Sequence, residues 1–119
     1  MTEEHLQQQI VLWYNNNYCL FNHNPRGLIF SIPNDTKNFM ELKRKKNTGL
    51  LSGVSDLVVI LPSSKILFIE VKFGSNKQQS KQLEFQERVE KLNHQYHVVY
   101  SLTQFQKIIW QNLTPPNAQ

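Results

Sequence analysis

Residues 53–72 read GVSDLVVILPSSKILFIEVK and contain two apolar runs of strand length. Their composition and the short Pro-Ser-Ser link between them predict a hairpin of two largely buried strands, over 56–61 and 65–71. Asp56 stands at the start of the first strand, and Glu70 and Lys72 stand near the end of the second. An unpaired carboxylate on a buried strand is unfavourable or shifts its pKa. These charges therefore need a compensating partner.

Side chains alternate across a strand, so Glu70 and Lys72 share one face of the second strand. The simplest interpretation is an ion pair between these two residues. Asp56 favours a different one, because an antiparallel hairpin brings the start of its first strand beside the end of its second. Two adjacent carboxylates repel each other unless a cation lies between them. Hard oxygen ligands, without a cysteine partner or paired histidines, favour Mg²⁺ or Mn²⁺ over zinc.

The rest of the chain alternates between helix and strand patterns. Apolar residues at helical spacing predict an amphipathic helix over 2–18 that begins at a Thr2 cap, and LIFSI before Pro33 is typical of a short strand. The pattern then predicts a helix from Asn34 or Asp35 to Lys46 that stops at Gly49. It next predicts a helix over 78–93, whose one face carries Gln82, Phe85, Val89 and Leu92. A strand at YHVVYS and a closing helix capped by Thr103 complete the predicted order. Helices that cover both faces of one mixed sheet indicate an α/β sandwich.

Length and composition point to one globular domain, over 1–113, followed by a loose tail over 114–119. The hydrophobic fraction of 39% excludes a disordered chain, and the net charge of +4 suits a polyanionic partner. The single cysteine and the absence of a leader or a long apolar run predict an intracellular protein without a membrane segment. The densest charge is either a solvated helix face or a contact with a phosphate backbone; it comprises Lys43, Arg44, Lys45 and Lys46.

The pattern Gly53-x-x-Asp56, thirteen further residues and then Glu70-Val71-Lys72 resembles the PD-(D/E)xK nucleases, with Ser55 where proline is common. Gly53 is either a close backbone turn before Asp56 or a simple loop glycine. Three further matches resemble the VRR-NUC branch, the virus-type replication-repair nucleases; they are Glu3-x-x-Leu6-Gln7, Ile32-Pro33-Asn34 and Gln82-x-x-Phe85. The resemblance implies a restriction-endonuclease-like sandwich with a central mixed β-sheet flanked by helices.

The resemblance also implies a site and an activity. Asp56 and Glu70 would hold Mg²⁺ or Mn²⁺, with the Val71 carbonyl completing the shell, and Lys72 would contact the attacking water or the scissile phosphate. Glu3 would reach the metal or its waters, or else only complement the helix dipole, and Gln82 would orient water or phosphate, or else be a surface residue.

By the same resemblance, the activity would be a DNA endonuclease that acts as a homodimer on branched DNA such as Holliday junctions, in the cytoplasm of a bacterial or phage-infected cell. The open alternative is a non-cleaving DNA-binding or partner-binding module on the same fold.

Overall fold

The computed structural model describes residues 1–33 and 39–113. Within these residues the order of elements is the predicted one. It runs α1 (Glu3–Tyr18), β1 (Leu28–Ser31), α2 (Phe39–Asn47), β2 (Leu57–Ile60), β3 (Ile66–Val71), α3 (Ser80–Lys91), β4 (Gln95–Val99) and α4 (Leu102–Leu113). The predicted cap at Asn34 or Asp35 and the predicted tail from Thr114 lie outside the described residues.

The strands form one mixed sheet in the order β1-β2-β3-β4. β2 pairs antiparallel with both β1 and β3, whereas β3 and β4 run parallel because α3 connects them. The predicted hairpin is therefore confirmed. Helices flank the mixed sheet, which confirms the predicted α/β sandwich.

The two faces of the sheet differ in chemistry. α1 and α4 pack on one face and build the main core with alternate residues of β3; the core there includes Leu6, Ile10, Tyr14, Leu67, Ile69, Val71, Phe105 and Ile109. Alternation along β3 leaves Phe68, Glu70 and Lys72 on the opposite face, which α3 covers through Phe85. The charged end of β3 therefore lies under α3.

The helix ends confirm some local predictions and correct others. The Thr2 hydroxyl accepts a hydrogen bond from the His5 amide at 3.1 Å, as expected for the cap of α1. At α4 the predicted Thr103 cap is wrong, because the helix begins at Leu102 and the Ser101 hydroxyl accepts the bond from the Gln104 amide at 3.1 Å.

The stop after α2 is also confirmed, since Gly49 has the left-handed φ of +114° that favours glycine. On α3, Val89 is buried as predicted. Leu92, however, follows the last helical residue and is 71% exposed, so its expected place on the buried stripe is wrong. In the part of the chain that the structure describes, no helix has the length and apolar character needed to cross a bilayer.

Candidate active site

The pairing of β2 with β3 brings Asp56 opposite Glu70. Leu57 pairs with Ile69, so the next position along the two antiparallel chains sets Asp56 against Glu70. Directly opposed residues of an antiparallel pair have Cβ atoms about 5 Å apart. The register itself therefore brings the two carboxylates together, as the sequence predicts.

The backbone around the site holds Asp56 in place. Its Oδ2 accepts a hydrogen bond from the Val71 amide at 2.7 Å, and its carbonyl oxygen accepts one from the Ile32 amide at 3.1 Å. β2 begins only at Leu57, so no carbonyl of β2 accepts a hydrogen bond from the Val71 amide. The Asp56 carboxylate accepts that bond instead. The hydrogen bond from the Val71 amide thus orients the side chain of Asp56.

The loop before Asp56 packs directly on α3 through Gly53. This residue has a φ of +80°, and a Cβ placed on it would collide with the Lys81 carbonyl oxygen and lie 2.9 Å from the Gln82 amide nitrogen. Only glycine tolerates both the conformation and the contact. The close turn is therefore present, and it fixes the Asp56 loop against the start of α3.

Glu70 is 2% exposed, and both of its carboxylate oxygens are held by other side chains. Gln82 Nε2 donates to Oε2 at 2.9 Å, and the Tyr96 hydroxyl donates to Oε1 at 3.2 Å. Burial, followed by charge repulsion from Asp56 and a hydrogen bond between the two carboxyl groups, raises the pKa of Glu70 to about 8, although Lys72 and Tyr96 act to lower this pKa. In the absence of a cation, Glu70 therefore holds a proton at neutral pH.

Lys72 is 7% exposed, and its ammonium group lies 3.9 Å from Glu70 Oε2. The close contact that the simplest interpretation predicts is therefore present, and it becomes an ion pair when Glu70 loses its proton. It is nevertheless one contact in a larger polar cluster, since Asp56, Gln82 and Tyr96 also converge on the same carboxylate. The structure thus brings Asp56, Glu70, Lys72 and Gln82 together, while their chemical roles stay predictions.

Glu3 is a predicted part of the site that does not join this cluster. The Glu3 carboxylate accepts a hydrogen bond from Asn76 Nδ2 at 2.6 Å. Over 1–33 and 39–113, no three His, Cys, Asp or Glu side chains lie where they could hold an ion together, so Glu3 does not join the two acids. The basic run lies on α2, where Lys45 pairs with Glu41 at 3.0 Å.

Tyr96 is a member of the cluster that sequence reasoning missed. It is 5% exposed, and the parallel register sets it opposite Phe68, two residues before Glu70. The available signal was that a buried tyrosine hydroxyl usually has a hydrogen-bond partner. This expectation does not identify Glu70 as the partner, because that requires knowledge of how β3 pairs with β4.

The donor set fits a hard divalent cation. Carboxylate oxygens each have two lone pairs, so the bonds from Gln82, Tyr96 and the Val71 amide leave acceptor capacity on both acids. Mg²⁺ is commonly held by one or two carboxylates, with water and substrate phosphate as the remaining ligands. Burial raises the pKa of Glu70 most, and repulsion from Asp56 adds to it; a cation between the two acids would relieve that repulsion.

Known proteins with the same fold were found in two comparisons. The family model of the VRR-NUC domain matches residues 1–102. A solved VRR_NUC domain protein superposes with a TM-score of 0.75 at 22% identity, over 95% of this chain and 88% of that one. A second structure, a VRR_NUC domain, gives a TM-score of 0.64 at 27% identity, over 92% of this chain and 97% of that one. A search of curated proteins gave no match. Because the family model spans most of the chain, this protein belongs to the VRR-NUC family and has a nuclease-type fold.

Proposed function

We propose that this protein is a divalent-metal-dependent endonuclease that hydrolyses DNA phosphodiester bonds. The observation that carries the proposal is the pairing of half-buried Asp56 with buried Glu70 beside the Lys72 ammonium group, at adjacent ends of β2 and β3. Membership of the VRR-NUC family supports the same conclusion.

Asp56 and Glu70 would be the carboxylate ligands of Mg²⁺ or Mn²⁺, with the Val71 carbonyl as a third ligand. The bound ion would supply positive charge that favours hydroxide over water and stabilises the charge developing on the phosphate. Glu70 must release its proton before it can serve as a ligand, since its pKa without a cation is about 8.

The remaining side chains of the cluster orient the ligands and the substrate. The Lys72 ammonium group would donate to the attacking water or to a phosphate oxygen, where it offsets developing negative charge. Gln82 and Tyr96 each hold one oxygen of Glu70, so they fix the direction in which that carboxylate faces. Gln82 would also orient water or phosphate. Glu3, bound to Asn76, would act only through water near the ion.

We further propose that the substrate is branched DNA and that the enzyme is a homodimer. A chain of this size has little surface for reading bases, so recognition would rest on phosphates and on the shape of the DNA. A two-fold dimer would provide two centres for paired nicks in a four-way junction. The basic run of α2 would contact the phosphate backbone; it comprises Lys43, Arg44, Lys45 and Lys46.

The test is cleavage of labelled four-way junctions, flaps, linear duplexes and single strands with Mg²⁺, with Mn²⁺ and with EDTA. We expect cutting only with a divalent metal and preference for branched DNA. Asp56→Asn and Glu70→Gln should abolish cutting, whereas Glu87→Gln, an exposed acid on α3, should not. A parent protein that cuts none of these substrates, or variants at Asp56 and Glu70 that cut as well as the parent, would leave only a non-cleaving binding module.

The oligomeric state needs a separate measurement. Sedimentation of the protein, alone and with a four-way junction, should give the mass of a dimer. A monomer that still cuts junctions would overturn the dimer proposal and leave the assignment of the centre intact.

A further inference from the structure

A groove of about 330 Å³ lies between the end of α2 and α3. This volume is at the lower end of the range for small-molecule sites, so the groove suits one small group and not a duplex. Nothing in the proposed chemistry at Asp56 and Glu70 uses it.

One side of the groove is apolar. Leu50, Leu51 and Phe85 line it, and Leu51 is 42% exposed. The ring of Phe85 is held by edge contacts with Phe68 at 5.7 Å and with Tyr96 at 6.0 Å between ring centroids. A rigid aromatic ring with two leucines nearby offers the apolar contact that a nucleobase takes up when it leaves its stack.

The charged residues that line the groove, here called the rim, are mostly cationic. Lys46, Lys81 and Arg88 line it together with one acid, Glu84. Lys81 pairs with Glu84 at 3.4 Å, but the two side chains are 66% and 65% exposed. Such an exposed pair contributes little, so Lys81 is free to turn towards a phosphate. The balance of charge on the rim favours an anionic ligand.

Both walls of the groove continue into the candidate active site. On one wall, Ser52 is followed by Gly53 and, three residues later, by Asp56. On the other wall, Lys81 directly precedes Gln82, whose side chain binds Glu70. The groove therefore borders residues that hold the candidate site, since Gly53 packs on the Lys81 carbonyl and Gln82 binds Glu70.

We propose that this groove receives one unpaired nucleotide of the DNA strand next to the phosphate that is cut. The base would contact Leu50, Leu51 and Phe85, and its phosphate would meet the cationic rim. A paired base reaches such a pocket only after its pairing and stacking are broken. The groove therefore selects DNA with an unpaired nucleotide beside the cleaved bond. This inference rests on the proposed nuclease function, and it names the feature of branched DNA that the enzyme reads.

The test measures binding and not cleavage, so it uses the parent protein in EDTA. The probe is a duplex that contains one unpaired 2-aminopurine, compared with the same duplex fully paired. We expect a change in 2-aminopurine fluorescence on binding to the unpaired probe, and about tenfold tighter binding to it than to the paired duplex. Leu51→Trp, which fills the groove from an exposed position, should abolish both the preference and the fluorescence change.

A second variant and a matched control separate the groove from general charge effects. Arg88→Ala should weaken binding of the unpaired probe about fivefold. Lys91→Ala removes a cation from another part of the same helix, where Lys91 pairs with Glu87 at 2.8 Å, and should leave the preference unchanged. Equal affinity of the parent for both probes, or a preference that persists in Leu51→Trp, would overturn the inference.

The two proposals fail in different ways. If the parent protein cuts DNA with Mg²⁺ but shows no preference in EDTA, the nuclease proposal stands and the groove does not receive a nucleotide. If it binds the unpaired probe selectively but cuts nothing, the groove assignment stands and the nuclease proposal fails.

Discussion

The stability of the metal-free protein should depend on pH through Glu70. Its pKa in the folded chain is about 8, above its ordinary value of 4.5, because it is buried beside Asp56. At a pH between these two values, the folded state holds a proton on Glu70 that the unfolded state has lost. The stabilising contribution of the protonated form is fully present below pH 4.5 and is lost as the pH rises through about 8.

The size of the effect follows from proton linkage. Where only the folded state holds the proton, the free energy of unfolding falls by about 1.4 kcal/mol for each pH unit. Between about pH 5.5 and about pH 7.5 the loss should be roughly 2 to 3 kcal/mol. This is a large share of the stability of a small domain, so the effect is measurable.

The assay is urea unfolding in EDTA at both pH values, for the parent and for Glu70→Gln. Glutamine keeps the size of the side chain but does not titrate. His97 acts in the opposite direction, because burial lowers its pKa and the stability that its neutral form contributes is lost as the pH falls. That contribution is common to both proteins and cancels in their difference. If the two proteins lose stability equally between these pH values, Glu70 is not protonated in the folded state. The claim that burial beside Asp56 raises its pKa would then be refuted.

Three further predictions test the site from other directions. At pH 8, Mn²⁺ at about 100 times its dissociation constant should stabilise the parent by about 2.7 kcal/mol in a thermal melt and should not stabilise Asp56→Asn; equal stabilisation would place the ion elsewhere. Gly53→Ala should destabilise the protein by about 2 kcal/mol or more in urea, because a Cβ would press on α3. Gly74→Ala, at a left-handed φ of +65° but with open space around it, should lose less, and equal losses would contradict the contact. Tyr96→Phe should lower stability by about 1 to 3 kcal/mol by removing a hydrogen bond to Glu70, and an unchanged urea midpoint would show that this bond contributes nothing.

The hairpin and its charges could be predicted because the signals are local. Alternation along 65–71 fixes which side chains share a face, and the short turn fixes the antiparallel direction of the partner strand. The relation of Asp56 to Glu70 then follows from register alone, as the pairing of Leu57 with Ile69 confirms.

The rest depends on contacts between residues that are distant in sequence. Tyr96 reaches Glu70 only because β4 pairs with β3 in a register that sets Tyr96 opposite Phe68, and no local pattern specifies that register. Lys81 and Arg88 join Lys46 around one groove although they are far apart along the chain. The basic run on α2 could therefore be recognised in the sequence, whereas the place of Lys81 and Arg88 beside it could not.

The second acid is what separates a metal centre from a purely structural polar cluster. In the part of the chain that the structure describes, every buried side-chain polar atom has a hydrogen-bond partner, so the cluster is satisfied without an ion. A purely structural role would be met by Glu70 with Lys72, Gln82 and Tyr96. Asp56 would then add a hydrogen bond with the Val71 amide, together with a charge repulsion that, after burial, raises the pKa of Glu70. A cation between the two carboxylates turns that repulsion into attraction. Stabilisation by Mn²⁺ that is lost in Asp56→Asn would assign Asp56 to an ion, whereas a structural role alone predicts no such stabilisation.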